Sequence, residues 1–463
     1  MKINSRNVKE VMALSPMQES MLFYYLTGGD QGKYIAQICY HLTGNLNVNL
    51  ILKSWDYVIS HNDVLRTVFR WECLKQPIQI VLRNYTADIQ IEDLRGQPLK
   101  SLEIYFEEEM EKHRRIAFDI TESAYRIKLY QISNEEIYML VSSFSIIYDG
   151  WSNSIMLREF LEIYNRLILG SSIAIKEKRQ FVDYIVWLKK QSQDMDEKFW
   201  RDYLGDLNFP NIRNNIFKEK RAVGQCQSLQ FKMPKAMECK VKEFIVKSQV
   251  TLASVIYAIW ALWIYKSKGI RDVVFGITVS GRPAELTGIE EAMGVFINTV
   301  PLRIKISPVQ SFYSLARKIH EFMIRMKEYE NYPLSKIKAC SGIAGDKELF
   351  DTIVVMQNYP INKNVSEALD IDIYKSYDYT DFKVVMGVLV WESVLFDIRY
   401  CPDIIKKKHV QEIQRFTLSI LQKISANQAE NTIESFCESI LDKKVTIIEE
   451  LKQLKEIDID EIF

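Results

Sequence analysis

The residues with the most chemical promise lie in one short segment, Tyr148-Asp149-Gly150-Trp151-Ser152, which puts a carboxylate and a hydroxyl in a tight polar turn. An apolar run, Ile137 to Ile147, precedes the turn, and a stretch bearing Ile155, Leu157, Phe160, Leu161 and Tyr164 on one helical face follows it. Strand, tight turn, helix is where mixed folds place chemistry, because two rigid elements hold the polar group still. The amides Gln357 and Asn358, at the end of another apolar run, can hydrogen-bond a polar substrate. The five histidines, His41, His61, His113, His320 and His409, never fall within four residues of one another, so a histidine metal site has no support. There is no GxGxxG after a strand, no GxxxxGK[ST], no HExxH and no GxSxG, which removes the common nucleotide, zinc-protease and hydrolase readings.

The elements that must carry these residues are mixed throughout. Tyr34 to Leu42 alternates, with Tyr34, Ala36, Ile38, Tyr40 and Leu42 on one face, and ends at Thr43-Gly44-Asn45, which predicts a strand and a turn. Asn47 can cap a helix that follows, since Val48, Ile51, Leu52, Trp55, Val58 and Ile59 recur at helical spacing. Arg126 to Ile132 and Ile137 to Ile147 flank Ser133-Asn134-Glu135-Glu136, a hairpin whose second strand is apolar enough to be central. Leu169-Gly170-Ser171-Ser172 and the charged run Lys176 to Arg179 mark a crossover into a second half with a buried helix, Thr251 to Tyr265, and strands at Asp272 to Ser280, Leu349 to Met356 and Val384 to Trp391. Two sequential α+β lobes follow from this, with a cleft between them as the default site.

Composition narrows the class. The 463 residues carry 60 Lys+Arg and 60 Asp+Glu, so no net positive charge marks the chain for nucleic acid or an anionic membrane. Hydrophobic residues at 48% and charged residues at 26% are ordinary globular values, and the length predicts two or three domain-sized cores. Seven scattered cysteines without a CxxC pair read as reduced cytosolic thiols. The N-terminal MKINSRNVKEVMALS lacks the apolar core of a signal peptide, and the most apolar stretch, Val255 to Tyr265, is too short to span a bilayer. A cytoplasmic protein is expected.

A series of short motifs in fixed order resembles the condensation domain of nonribosomal peptide synthetases. Leu14-Ser15-Pro16-Met17-Gln18-Glu19-Ser20-Met21-Leu22-Phe23 resembles that family's opening motif, and His61-Asn62-Asp63-Val64-Leu65-Arg66-Thr67-Val68-Phe69 its second. Phe181-Val182-Asp183-Tyr184-Ile185-Val186-Trp187 resembles the motif past the crossover, and Gly294-Val295-Phe296-Ile297-Asn298-Thr299-Val300-Pro301-Leu302-Arg303 the strongest motif of the second lobe. Tyr332-Pro333-Leu334 and the segment from Leu349-Phe350-Asp351-Thr352 to Gln357-Asn358-Tyr359-Pro360 complete the set.

The resemblance implies two chloramphenicol-acetyltransferase-like lobes in a V-shaped pseudo-dimer, with a tunnel at the junction. On this reading residues 1–175 form the N-terminal lobe, 176–438 the C-terminal lobe and 439–463 a charged tail. It implies donor and acceptor peptidyl carrier proteins as partners, each presenting a thioester on a phosphopantetheine arm for amide formation, with no bound cofactor, no metal, and a monomer as the working form. Positioning two such arms can contribute about 7 to 11 kcal/mol to the barrier reduction.

At the turn the sequence departs from the family. Where the family has HHxxxDG, this chain reads Phe144-Ser145-Ile146-Ile147-Tyr148-Asp149-Gly150, so Phe144 and Ser145 stand in for both histidines while Asp149 and Gly150 remain. The heterocyclisation pattern DxxxxDxxS fits only at Asp149 and Ser152. An imidazole with pKa about 6.5 exchanges a proton near neutrality and a lone serine hydroxyl does not act as a base. General base catalysis is typically worth about 10² to 10⁴ in rate. The expectation is a condensation-type acyltransferase fold with impaired or altered catalysis, Ser145 occupying the catalytic position. Two other readings stand beside it: a non-catalytic platform that recruits a carrier protein or tailoring enzyme, and an active amide-, ester- or heterocycle-forming enzyme using a different base.

The family also implies that Asp149 pairs with Arg282 of Gly281-Arg282-Pro283, holding the turn and tying the lobes together. Phe144, Tyr148, Trp151, Ser152, Asn298, Gln357 and Asn358 are the candidates for the substrate tunnel, with packing as the plain alternative for Phe144, Trp151 and Asn298. The tail ends in Ile457-Asp458-Ile459-Asp460-Glu461-Ile462-Phe463, an apolar–acidic alternation that can add as a strand to another synthetase subunit.

Overall fold

In a computed structural model of the chain, the residues described are 4–27, 34–97, 101–173, 177–191, 193–207, 227–343, 348–357, 369–378, 382–390 and 393–438. Asn358 and the tail 439–463 lie outside the described residues. Two compact units are present, one made of Met1–Gln191, Ser280–Ile297 and Tyr359–Thr380, the other of Ser192–Val279, Asn298–Asn358 and Asp381–Phe463.

The first unit is built on a five-stranded sheet in the order Leu369–Asp378, Ile35–Gly44, Glu136–Phe144, Tyr125–Gln131, Ile89–Asp93. All pairs are antiparallel except the last, where Ile89–Asp93 runs parallel to Tyr125–Gln131. The hairpin around 133–136 therefore places the apolar strand Glu136–Phe144 in the middle, and Ile147 turns the chain by donating its N–H to the Phe144 carbonyl. Asn47 caps the helix Val48–His61 by accepting from the Asn49 and Leu50 N–H groups, and this helix packs on Gly150–Ile168. Both contribute to a core containing Ile51, Trp55, Val58, Phe160 and Tyr164.

Alternation along Ile35–Gly44 predicts one buried face, and the structure buries both. Tyr40 and Leu42 enter the main core, while Cys39 meets Phe106 and Met110 of the helix Leu102–Arg115 on the other side. A sheet covered on both faces leaves no solvent side for polar residues to mark. A smaller antiparallel sheet, Val8–Ala13, Ile78–Leu82 and Thr67–Arg70, completes the unit.

The second unit has a six-stranded mixed sheet ordered Asn298–Lys305, Asp272–Val279, Thr352–Gln357, Val384–Val390, Val394–Tyr400, Gln227–Lys232. Its central helix, Leu252–Lys268, is capped by Thr251, is buried continuously from Ser254 to Ile264, and stops at Gly269 with φ 68°. That left-handed backbone suits glycine, whose N–H then closes on the Tyr265 carbonyl. Among the described residues no single helix is long and apolar enough to cross a membrane.

The units are interleaved in sequence, whereas the sequence predicts contiguous lobes at 1–175 and 176–438. Two later segments belong to the first unit: 369–378 pairs with Ile35–Gly44, and 280–297 is pinned around Asp149. The helix Phe181–Leu188 also packs there, with Phe181, Tyr184 and Ile185 in its core.

Candidate functional site

Asp149 is the N-cap of the helix Gly150–Ile168, and its carboxylate accepts from the Ser152 N–H at 2.8 Å and faces the Ser152 hydroxyl at 2.7 Å. It also accepts from the backbone N–H groups of Phe296 and Ile297 at 3.1 and 3.2 Å. Arg282 approaches with both terminal nitrogens, Nη1 at 3.1 Å from Oδ2 and Nη2 at 3.3 Å from Oδ1. Both side chains are withdrawn from solvent, at 1% exposure for Asp149 and 5% for Arg282. A buried carboxylate with charged and neutral donors on both oxygens is an ordering device, fully hydrogen-bonded and without a spare lone pair aimed at solvent.

Ser152 is the hub of the same cluster. Its Oγ accepts from the Gly294 N–H and from Arg282 Nη2, and its single proton goes to Asp149 or to the Gly294 carbonyl. The Asp149 N–H donates to that carbonyl too. Gly294 is required because the ring of Phe181 lies against it: a Cβ there would sit 2.1 Å from Phe181 Cδ2. Phe181 in turn meets Phe296 edge to face, and the Arg282 guanidinium lies over the Phe296 ring at 4.2 Å. The crossover motif, the turn motif, Arg282 and the Gly294 motif thus converge within the first unit, and the expected Asp149–Arg282 contact is internal to it.

The opening motif reaches the same turn through a residue that carried no assigned role. Gln18 closes a capping box with Ser15 and donates Nε2 to the Ile146 carbonyl at 3.0 Å. Gln79 donates to the Gln18 Oε1 and to the Ala13 carbonyl, and the two amides are buried at 1% exposure each. A long-range amide clamp of this kind leaves no local pattern in the sequence. In the second motif Asp63 gathers Lys9 and Arg66, and Arg66 also donates to the Ile59 and Leu82 carbonyls, so that motif is a structural clasp.

Ser145 is half-buried at the start of the turn, with its N–H donated to the Tyr34 carbonyl at 2.7 Å. Phe144 is buried between Tyr25 and Tyr34, with ring centroids 5.7 and 6.4 Å away. Tyr148 is buried as well and hydrogen-bonds Ser143, and burial pushes its hydroxyl up to about 12. Trp151 is half-exposed and donates its indole N–H to the Glu290 carbonyl. Gly150 is exposed at the first helical position.

In the second unit Asn298 spends its amide on the backbone. Nδ2 donates to the Glu330 and Tyr332 carbonyls at 2.8 Å each, and Oδ1 accepts from the Thr299 N–H. Gln357 ends the strand Thr352–Gln357, half-buried and opposite Leu389. His61, the histidine nearest a motif, is stacked on Tyr57 with Nδ1 2.7 Å from the Tyr57 carbonyl. Among the described residues no group of three His, Cys, Asp or Glu could hold a metal ion.

Comparison with known proteins agrees with the motif order. A family model described as Condensation domain matches residues 8–438. Tyrocidine synthase 2 of Brevibacillus parabrevis is 27% identical over 446 residues, 94% of this chain and 12% of that protein, so the chain corresponds to a small part of that relative. Among solved structures, a starter condensation domain of rhizomide synthetase, a mutant in complex with C8-CoA, superposes with a TM-score of 0.76 at 17% identity, covering 92% of this chain and 97% of that one. The complex of the X-domain and OxyB from teicoplanin biosynthesis supplies another likeness, TM-score 0.74 at 16% identity over 96% of this chain and 100% of that one. At these identities the structural likenesses establish the mixed α+β fold.

Proposed function

We propose a function from the premise that the chain belongs to the condensation-domain family of nonribosomal peptide synthetases: it engages thioesters on the phosphopantetheine arms of donor and acceptor carrier proteins and joins them slowly or not at all. The observation that carries this reading is a divided turn. Asp149, Ser152, Gly294 and Arg282 keep a buried, hydrogen-bonded scaffold, while the proton-accepting position holds Ser145, which lacks a basic nitrogen. Positioning of two arms needs the scaffold, and proton transfer needs the base. Losing only the second lowers the rate without removing binding.

The test is reconstitution with a leucyl N-acetylcysteamine thioester as donor and a glycyl-loaded carrier protein as acceptor, amide product being counted by mass spectrometry. Wild type is expected near the uncatalysed rate. Ser145→His, alone or with Phe144→His, is expected to raise it by about 10² to 10⁴. A wild-type rate equal to that of the histidine variants sinks the impaired reading and points to a different base, which has to lie within about 3 Å of the amine.

A second reading, the recruitment platform, draws support from the likeness to an X-domain solved in complex with OxyB. It predicts saturable carrier or tailoring-enzyme binding with no amide product from any histidine variant. We place the protein in the cytoplasm as a monomer, with segment 439–463 as the contact to other synthetase subunits. Truncation after residue 438 tests that contact by loss of subunit capture.

A further inference from the structure

The strand Ile35–Gly44 is entered through a strained residue that the proposed chemistry does not use. Tyr34 has φ 60°, in the left-handed region that a bulky side chain rarely adopts and adopts at a cost. Three other described residues that are not glycine share a positive φ, but Gln249 is a helix C-cap and none of the three carries an aromatic ring. Glycine would start the strand without that strain, so the ring of Tyr34 needs a reason. Strain of this kind gathers where a functional group must be held in place.

The surroundings of Tyr34 supply a reason. Ile35 pairs with Phe144 in the sheet, and one step beyond that pair the Tyr34 carbonyl accepts the Ser145 N–H at 2.7 Å. A regular strand residue at this place would point to the face opposite Ile35 and Phe144. The positive φ breaks the alternation, and the Tyr34 ring meets Phe144 edge to face at 6.4 Å and Tyr24 at 5.5 Å. Tyr24 in turn meets Phe23 at 6.1 Å, and Tyr25 links Phe144 to Trp71 at 5.7 and 5.8 Å. Phe144 is buried and Tyr25 spends its hydroxyl on the Phe118 carbonyl, whereas Tyr34 is half-buried and Tyr24 and Phe23 are 37% and 64% exposed. A file of rings therefore runs from position 145 out to solvent. Rings at these spacings pack favourably against a further ring or another apolar group.

We propose that Tyr34 and Tyr24 are specificity-determining residues whose rings receive a large apolar side chain on the aminoacyl group that reaches the Ser145 turn as a thioester. This rests on the condensation reading of the same turn and adds the class of aminoacyl group it takes. Tyr34 then has two tasks: its carbonyl holds the backbone of position 145, and its ring presents an apolar wall beside it.

Equilibrium binding tests this without requiring turnover. Phenylalanyl and alanyl N-acetylcysteamine thioesters are titrated separately into the full chain, and the phenylalanyl compound should bind about 10-fold or more the tighter. Tyr34→Gly removes the ring and leaves a residue at home in the left-handed region, so it should bring the two affinities within about threefold of each other. Tyr34→Phe should keep the preference, and Tyr24→Ala, which asks nothing of the strand, should lower it. Unchanged amide exchange across Glu136–Phe144 shows that the sheet is intact in Tyr34→Gly. A preference retained in both Tyr34→Gly and Tyr24→Ala, or no preference in the wild type, overturns the proposal and leaves the condensation reading standing. Absence of binding by either thioester overturns it as well, and if loaded carrier protein also fails to bind, the condensation reading falls with it.

Discussion

Replacing Arg282 by alanine tests the organising role of the Asp149 cluster most directly. The substitution removes the only cation bonded to Asp149 among the described residues, together with the guanidinium packed over Phe296. Breaking one partner of a buried pair typically costs about 3 to 5 kcal/mol. Asp149 keeps three backbone N–H donors and the Ser152 hydroxyl, so the lower end, about 3 kcal/mol, is the working figure. That corresponds to roughly a 150-fold larger opening constant, since 1.4 kcal/mol is a factor of ten. Two compact units make a single global unfolding free energy a poor measure, and amide exchange read by peptide is the suitable assay. Peptides covering 150–168 and 292–297 should lose protection by that order, and those covering 252–268 should not. Arg282→Lys should cost less, because it keeps the charge and loses the two-pronged geometry. Removing both charges, as Asp149→Asn with Arg282→Met, should recover part of the loss. An Arg282→Ala chain with less than a threefold change in the 150–168 peptides would show that Arg282 does not organise the Asp149 cluster, as would equal loss in both units.

Other perturbations follow from the same geometry. Gly294→Ala sets a Cβ against the Phe181 ring and should destabilise the first unit by about 1 to 3 kcal/mol, read by amide exchange of peptides within it; Phe181→Leu in the same chain should restore part of it, and a neutral Gly294→Ala argues against close packing there. Gln79→Met leaves one buried amide of the Gln18 clamp short of a partner and should cost about 1 to 3 kcal/mol, with faster exchange at Ile147 as the local sign. Burial, with Lys128 next and Glu109 opposing, depresses His113 to about 4. The unfolded chain then takes up that proton first, so stability falls as pH drops from about 6.5 to about 4, by at most about 1.4 kcal/mol per pH unit. His113→Phe should flatten denaturation midpoints across that window, and an unchanged pH profile contradicts a buried neutral imidazole.

Local pattern made several elements readable. Asn47 ahead of a 3.6-residue apolar period marks Val48–His61, and an unbroken apolar run marks the central strand Glu136–Phe144. Contacts that depend on distant segments were readable only in part. The motifs announce Asp149 and Arg282, yet nothing near Ser152 in sequence signals that its hydroxyl joins Gly294, 142 residues away. The same applies to Gln18 and Gln79, whose polar character in a strand or helix looks like an exposed face until the second amide arrives. Alternation misled along Ile35–Gly44 because both faces of that sheet are covered. Interleaving of the units was hidden for a related reason: a strand such as Leu369–Asp378 has no composition that says which sheet it will join.

What the turn retains and what it lacks differ in physical kind. The retained groups, Asp149, Ser152, Gly294 and Arg282, are tied to one another by hydrogen bonds in a buried place, where deleting any one strands the others. Such a set is held by the cost of its own removal, whatever the reaction outside it requires. Ser145 stands under no such constraint. It is half-buried, its side chain belongs to none of these bonds, and only its N–H is engaged, a contact that any residue except proline supplies. On the proposed reading, an exchange of imidazole for hydroxyl at that position alters proton transfer while leaving the surrounding hydrogen bonds intact. This asymmetry makes Ser145→His an informative substitution: the surrounding bonds already exist, so the imidazole has only to seat in a turn whose shape other residues determine. Failure of that variant to gain activity while remaining folded would mean that the missing base is not the whole deficit, and saturable carrier binding in the same variant would then favour the recruitment platform.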